Sequence, residues 1–234
     1  MIYYLYSILK MDKYKKKIKK YIYIHIYCFN NWKEIVHTFL HKIISSKLYS
    51  IVSEVRCVVL GNGDISDIIQ QYPKVRIMFQ SDDTSFYEKK ILQLLYEHSQ
   101  RENFYVLYLH TNGIKYNGKY KKINKWIDYM TYFNVSKYTN MIKLLKYNDV
   151  VGVNLENNPE NPIHFSGNFW WSKSKYIQTL DTNYLYNRWN KQQYRNVTDY
   201  NIWITSGNGN YASVWNSGLN HYRQEYPTKK YLNF

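Results

Sequence analysis

Tyr21 to Phe29 (YIYIHIYCF) is β-branched or aromatic at every position except His25 and Cys28, with Ile22, Ile24 and Ile26 on one face. Such alternation reads as a strand inside a sheet. Asn30-Asn31 break it, and Asn31 is placed to cap a helix from Trp32 in which Ile35, Val36, Phe39, Leu40 and Ile43 recur at helical spacing. The unit then repeats. Val55–Leu60 is a second strand, closed by Gly61-Asn62-Gly63, and Lys74–Phe79 is a third, following Pro73. Phe86–Ser99 reads as a helix with Ile91, Leu94 and Leu95 inward, and Phe104–Leu109 (FYVLYL) is apolar enough to be buried on both faces.

Further on, His110–Asn124 is a polar loop, Lys125–Tyr147 a long helix or helix pair, Val150–Asn154 a strand and Glu156–Pro162 a loop. Tyr200–Thr205 and Tyr211–Trp215 read as strands around the turn Ser206-Gly207-Asn208-Gly209. Strands alternating with helices predict an α/β fold, with a mixed, mainly parallel sheet flanked by helices. At 234 residues this is one domain, expected over 20–234, behind a basic and apolar leader at 1–19. Ligands on such sheets bind beyond the carboxyl ends of the strands, which points to Tyr27–Asn30 and Leu109–Gly113.

The net charge of +15 suggests a nucleic-acid partner. However, Lys, Asn, Ile and Tyr all have A/T-rich codons, and Lys13–Lys20 (KYKKKIKK) is the one dense basic run. No nucleic-acid partner is therefore expected, although a positive field favours anionic ligands such as nucleotide diphosphates. Met1–Leu9 (MIYYLYSIL) is too short to span a membrane and lacks the order of a signal peptide, so it reads as a frayed leader or a peripheral membrane contact. Cys28 and Cys57 lie in apolar runs with no zinc-ligand spacing. Two buried thiols suit a reducing, cytoplasmic setting; a disulfide between them is the alternative.

Two segments carry candidate chemistry. In His164–Trp171 (HFSGNFWW), Ser166, Gly167 and Asn168 form a polar turn between Phe165, Phe169, Trp170 and Trp171. Sugars need hydrogen bonds and stacking faces together, so the turn suits a sugar pocket; it suits a tight aromatic turn equally well. Adjacent tryptophans on a strand face opposite ways, which predicts one in the core and one available to a pocket. In Val106–Gly113 (VLYLHTNG), a buried strand ends in His110-Thr111-Asn112-Gly113, where His110 and Asn112 can face phosphates or simply form a turn.

The chain resembles a family of glycosyltransferase-like proteins of bacteria and large DNA viruses, akin to virus-encoded single-domain glycosyltransferases and more loosely to rhamnan-synthesis proteins. Four pieces in order carry the resemblance over roughly 20–205: Tyr87-Glu88 with its helix, VLYLHTNG, Trp126–Phe133 (WIDYMTYF), and HFSGNFWW followed by Tyr176-Ile177. It implies the fold called GT-A, with transfer of a hexose or deoxyhexose from a nucleotide-sugar donor to a glycan or glycoprotein. If the protein is viral, the setting is the host cytoplasm. The Asp-x-Asp metal grip common in such enzymes is absent, and Asn112 stands where the family has lysine.

Sugar transfer needs a held nucleotide, a stabilised diphosphate and a base for the acceptor hydroxyl. For the nucleotide the candidates are the loop after the first strand and Asp82-Asp83, although Asp82-Asp83 suit a helix cap at least as well. For the diphosphate they are His110, Thr111, Asn112 and Lys115. Asp199, four positions before Trp203-Ile204, is the candidate base, with Glu156 and Glu160 behind it. Mn2+ or Mg2+ is the implied cofactor, with His110 and His221 as candidate ligands and metal-independent action as the alternative. Trp189 and Trp203 are candidate stacking faces or core residues. Two rival readings remain, a catalytically impaired nucleotide-sugar or glycan-binding module and a basic nucleic-acid-binding protein.

Overall fold

The computed structural model describes residues 18–158, 162–186 and 199–233. Strand β1 (Lys19–Tyr27) runs into helix α1 (Trp32–Ser45) and the short α2 (Leu48–Ile51), then β2 (Glu54–Leu60), α3 (Ser66–Gln71) and β3 (Val75–Ser81). Helix α4 (Lys89–Ser99) leads to β4 (Phe104–His110) and α5 (Lys121–Thr131), which continues as a π-helical turn (Tyr132–Ser136) into α6 (Tyr138–Leu144). The later elements are β5 (Val150–Gly152), β6 (Leu155–Glu156), β7 (His164–Phe165), β8 (Trp170–Lys173), α7 (Ser174–Ile177), α8 (Asn183–Tyr186), α9 (Asp199–Trp203) and β9 (Tyr211–Ser213).

Seven strands form one sheet in the order β3-β2-β1-β4-β8-β5-β9, while β6 and β7 pair separately. β1, β2, β3 and β4 are mutually parallel, and β8 is antiparallel to both β4 and β5. The fold is therefore α/β with a mixed, mainly parallel sheet flanked by helices, as the strand–helix alternation predicts. One core layer packs Ile22, Ile24, Ile26, Leu107, Leu109 and Trp171 against α1 and α5. The other packs Tyr21, Tyr23, Val106, Tyr108 and Trp170 against Ile91, Leu92 and Leu95 of α4. The period-two face of β1 is thus the face that α1 covers.

Four local expectations change. Tyr200–Thr205 is not a strand, because Asp199–Trp203 is helical and Ile202, Trp203 and Ile204 are all buried, which removes the one-sided alternation a surface strand needs. The helix expected from Phe86 begins at Lys89, after a 3-10 turn over Thr84–Phe86. The helix or pair expected over Lys125–Tyr147 begins at Lys121 and is interrupted by the π turn. Asn31 makes no capping bond; its amide reaches the Glu34 carboxylate at 3.4 Å instead. Cys28 and Cys57 are free thiols, and burial pushes both up, to about 11 and about 12. Among the described residues no helix is long and apolar enough to cross a membrane.

Candidate functional site

The strand order turns back between β1 and β4, and such a turning point opens a ligand crevice at the carboxyl ends of the strands. The two ends are tied together there. Thr111 N–H donates to the His25 carbonyl at 3.0 Å, Tyr27 N–H donates to Thr111 Oγ1 at 3.0 Å, and Asn30 Nδ2 donates to the Ile114 carbonyl at 3.0 Å. Asn30 turns the chain with φ of 48°, a conformation asparagine tolerates better than most residues. Just before it, the Tyr27 and Phe29 rings stack at 5.7 Å and 12°, and Phe29 is 47% exposed. That pair is a flat aromatic face at the carboxyl end of β1.

Behind it lies a buried polar cluster on the α4 side of the sheet. Glu88, 8% exposed, precedes α4. Its Oε2 accepts from Tyr108 OH at 2.5 Å and from Asn168 Nδ2 at 2.9 Å. Asn168 Oδ1 in turn accepts from Trp170 Nε1 at 2.9 Å. His110 Nε2 lies 3.0 Å from the Gly167 carbonyl. A carbonyl oxygen only accepts, so this nitrogen carries the proton and donates. His110 Nδ1 faces Glu88 Oε1 at 3.7 Å. His25 is paired in register with His110 across the β1–β4 ladder, and burial lowers its pKa to about 4. Residues from three distant segments therefore meet through direct bonds in a low-dielectric pocket.

Unpaired polar atoms occur at the ends of β1 and β4 and at the start of α1. His25 Nδ1, Asn31 Oδ1 and Asn112 Nδ2 are buried without a protein partner. Buried polar groups are normally satisfied, and a bound polar ligand or water is one way to satisfy them. Lys115 is exposed, its Nζ 4.9 Å from the Tyr116 ring centre.

The HFSGNFWW turn is held from both sides. A Cβ on Gly167 (φ 89°) would sit 2.2 Å from Met130 Sδ and 3.0 Å from Trp126 Cζ2, so this glycine is required by the packing of α5. Ser166 is half-buried, with its N–H on the Asn154 carbonyl at 2.9 Å. Trp170 and Trp171 do face opposite layers, but both are fully buried, so neither is available to a pocket. Trp170 stacks on Tyr108 at 4.9 Å, and Trp171 Nε1 donates to the Asn134 carbonyl. Trp203 is also buried, donating to the Asp181 carbonyl.

Other sequence candidates have structural partners. Asp83 accepts from Ser85 N–H at 2.9 Å and so caps the 3-10 turn rather than a helix, while Asp82 is exposed beside it at the end of β3. Thr111 uses its hydroxyl to extend the β1–β4 pairing. His221 is buried between the Trp126 and Tyr129 rings, and its Nε2 accepts from Asn154 Nδ2 at 3.0 Å and Ser217 Oγ at 2.8 Å. Its other ring nitrogen is buried without a partner. A ring enclosed in this way packs the core rather than ligating a metal. His110 Nε2 is likewise committed to a carbonyl, and among the described residues no group of three or more His, Cys, Asp or Glu side chains is arranged to hold a metal ion. Asp199 begins α9, but its side chain lies outside the described part, as do Glu160 and Trp189 altogether. Glu156 is exposed on β6.

Sequence reasoning missed Glu88 as a site residue, although Tyr87-Glu88 was one of the pieces behind the resemblance. The signal is conformational. Tyr87 takes φ 44° and ψ −147°, which costs a non-glycine residue about 1–3 kcal/mol, and this bend precedes the buried Glu88.

Comparison with solved structures finds HddC from Yersinia pseudotuberculosis, at 10% identity, covering 84% of this chain and 90% of that chain with a TM-score of 0.45. It also finds 4-diphosphocytidyl-2C-methyl-D-erythritol synthase from Anaerococcus prevotii DSM 20548, at 13% identity, 86% and 90% coverage and a TM-score of 0.47. Another 4-diphosphocytidyl-2C-methyl-D-erythritol synthase matches at 12% identity, 85% and 89% coverage and a TM-score of 0.46. No curated protein matches the chain. A family model described as a domain of unknown function, DUF8361, matches residues 23–226, and the chain belongs to that family.

Proposed function

We propose that this protein is a nucleotide-sugar-dependent glycosyltransferase of GT-A type, moving a hexose or deoxyhexose onto a glycan or glycoprotein. One observation carries the reading. Glu88, Tyr108, His110 and Asn168 come from three separate motifs of the resemblance and meet at the turning point of the sheet: Glu88 accepts from Tyr108 and Asn168, and His110 bonds the Gly167 carbonyl beside them. In this reading the nucleoside base stacks on Phe29 and Tyr27. The diphosphate meets Asn112 Nδ2 and Lys115, where donors and charge stabilise the leaving group. Glu88 holds Asn168 and faces His110, and so sets the shape of the donor-sugar wall. Asp199 is the candidate base for the acceptor hydroxyl. No step here runs through a metal, since His110 Nε2 and His221 Nε2, on the two candidate ligands, are engaged by Gly167 and by Asn154 and Ser217.

The test is titration calorimetry with UDP-, GDP- and dTDP-sugars, together with a donor-hydrolysis assay with and without Mn2+ or Mg2+. Binding with release of the sugar supports the enzyme. No binding of any nucleotide sugar would overturn the proposal.

A second reading, a binding module without turnover, is favoured by one feature: the sole carboxylate of the buried cluster already accepts two hydrogen bonds. Binding without sugar release under any metal condition would select it.

A further inference from the structure

The opposite edge of the sheet, at the amino ends of β1 and β2, carries a groove of about 950 Å³. Lys19, Arg56, Arg101 and Lys175 line it with one lining carboxylate, Glu102, and Arg56 is paired with Glu54 at 2.8 Å behind it. Glu102 is already engaged by Lys19 Nζ at 2.6 Å, Tyr21 OH at 2.8 Å and His98 Nε2 at 3.1 Å. Arg101 and Lys175 are exposed. Among these charges sit two exposed aliphatic side chains, Ile18 at 43% and Met78 at 40%. In sequence, Lys13, Lys15, Lys16 and Lys17 directly precede Ile18. Lys13 is five residues before Ile18, so at most about 18 Å of chain separates them. The apolar run Met1–Leu9 comes before that.

We propose that this edge is a docking surface for the anionic headgroups of a phospholipid bilayer. Stable membrane association takes two signals, apolar insertion and polybasic attraction, and exposed Ile18 and Met78 beside exposed Arg101 and Lys175 offer both at this edge. The exposed aliphatic residues inside the ring of charge favour lipid over nucleic acid. A single-stranded nucleic-acid groove stacks bases on aromatic faces, and none of the described residues lining this groove is Phe, Tyr or Trp. Since β1 to β4 run parallel, docking at their amino ends turns the candidate site at their carboxyl ends away from the bilayer. The inference does not depend on the glycosyltransferase reading.

The test is co-sedimentation of the full chain with phosphatidylcholine vesicles, with and without phosphatidylserine. Sedimentation only with phosphatidylserine, weakening as salt is raised, is expected. Each neutralised surface cation should weaken partitioning about fivefold, so Arg101→Gln combined with Lys175→Gln should weaken it roughly 30-fold, at an unchanged melting temperature. Three results would each overturn the proposal: equal sedimentation with both vesicles, no sedimentation with either, or a double variant that partitions like wild type. Tighter binding to single-stranded DNA than to the anionic vesicles at the same salt, lost in the same variant, would assign the edge to nucleic acid instead.

Discussion

Acidification from about pH 7.5 to about pH 5 should remove about 6 kcal/mol of stability from this protein, through three buried neutral histidines. His25, His98 and His221 are each lowered to about 4, with burial as the largest cause. Two of them sit where an added proton meets a donor. His98 Nδ1 accepts from Tyr23 OH, whose oxygen already receives a bond from Arg56 Nη1 at 3.0 Å, so the ring's one proton is on the side facing Glu102. His221 Nε2 accepts from Asn154 and Ser217. A histidine with a depressed folded pKa binds its proton more readily when unfolded. Its stabilising contribution is full above the unfolded value near 6.5 and is lost as pH falls towards 4. At about pH 5 each ring then costs about 2 kcal/mol, and in mid-window the slope is about 1.4 kcal/mol per pH unit per ring. Three rings together cost an amount comparable with the total stability of an ordinary domain, about 5–15 kcal/mol. Urea unfolding measured across this range should show a slope near three protons, and His221→Gln should reduce it by about one proton whatever it does to stability at neutral pH. Stability that stays flat from pH 7.5 to 5 would refute the reasoning. Glu102, lowered to about 2 chiefly by its hydrogen bond with Lys19, acts in the same direction but mainly below its ordinary value of 4.5.

Three further perturbations address the site and its support. Gly167→Ala places a Cβ against Met130 and Trp126 at positive φ and should cost about 1–3 kcal/mol, read as a lowered thermal midpoint. Asn112→Lys puts a cation in place of the orphaned amide and should tighten nucleoside-diphosphate binding roughly tenfold, as one charge-assisted bond would; unchanged affinity in calorimetry would place the diphosphate elsewhere. Asp199→Asn should abolish transfer with little loss of donor binding, and surviving activity would move the base to another residue.

Much of the architecture is written in local pattern. The period-two run of β1, the helical spacing of α1 and the doubly apolar β4 come from backbone geometry and burial, and each lies within a residue or two of its expected bounds. The region from 199 to 205 misled because a short, fully buried apolar run has no face to show, and strand and helix then look alike. The paired tryptophans illustrate the same limit. Their opposite facing follows from strand geometry, but whether either meets solvent depends on what covers each face, and here Tyr108 covers one and the π turn the other.

The sequence by itself determined an α/β chain and the order of its early strands and helices, because hydrophobic periodicity and turn residues act locally. Only the tertiary structure decided that Glu88 bonds Tyr108 and Asn168 with His110 beside them, and that His221 is enclosed by aromatic rings. A buried carboxylate finds its donors across the fold, from segments about 20 and 80 residues away along the chain, and no local pattern encodes which polar groups burial will bring together.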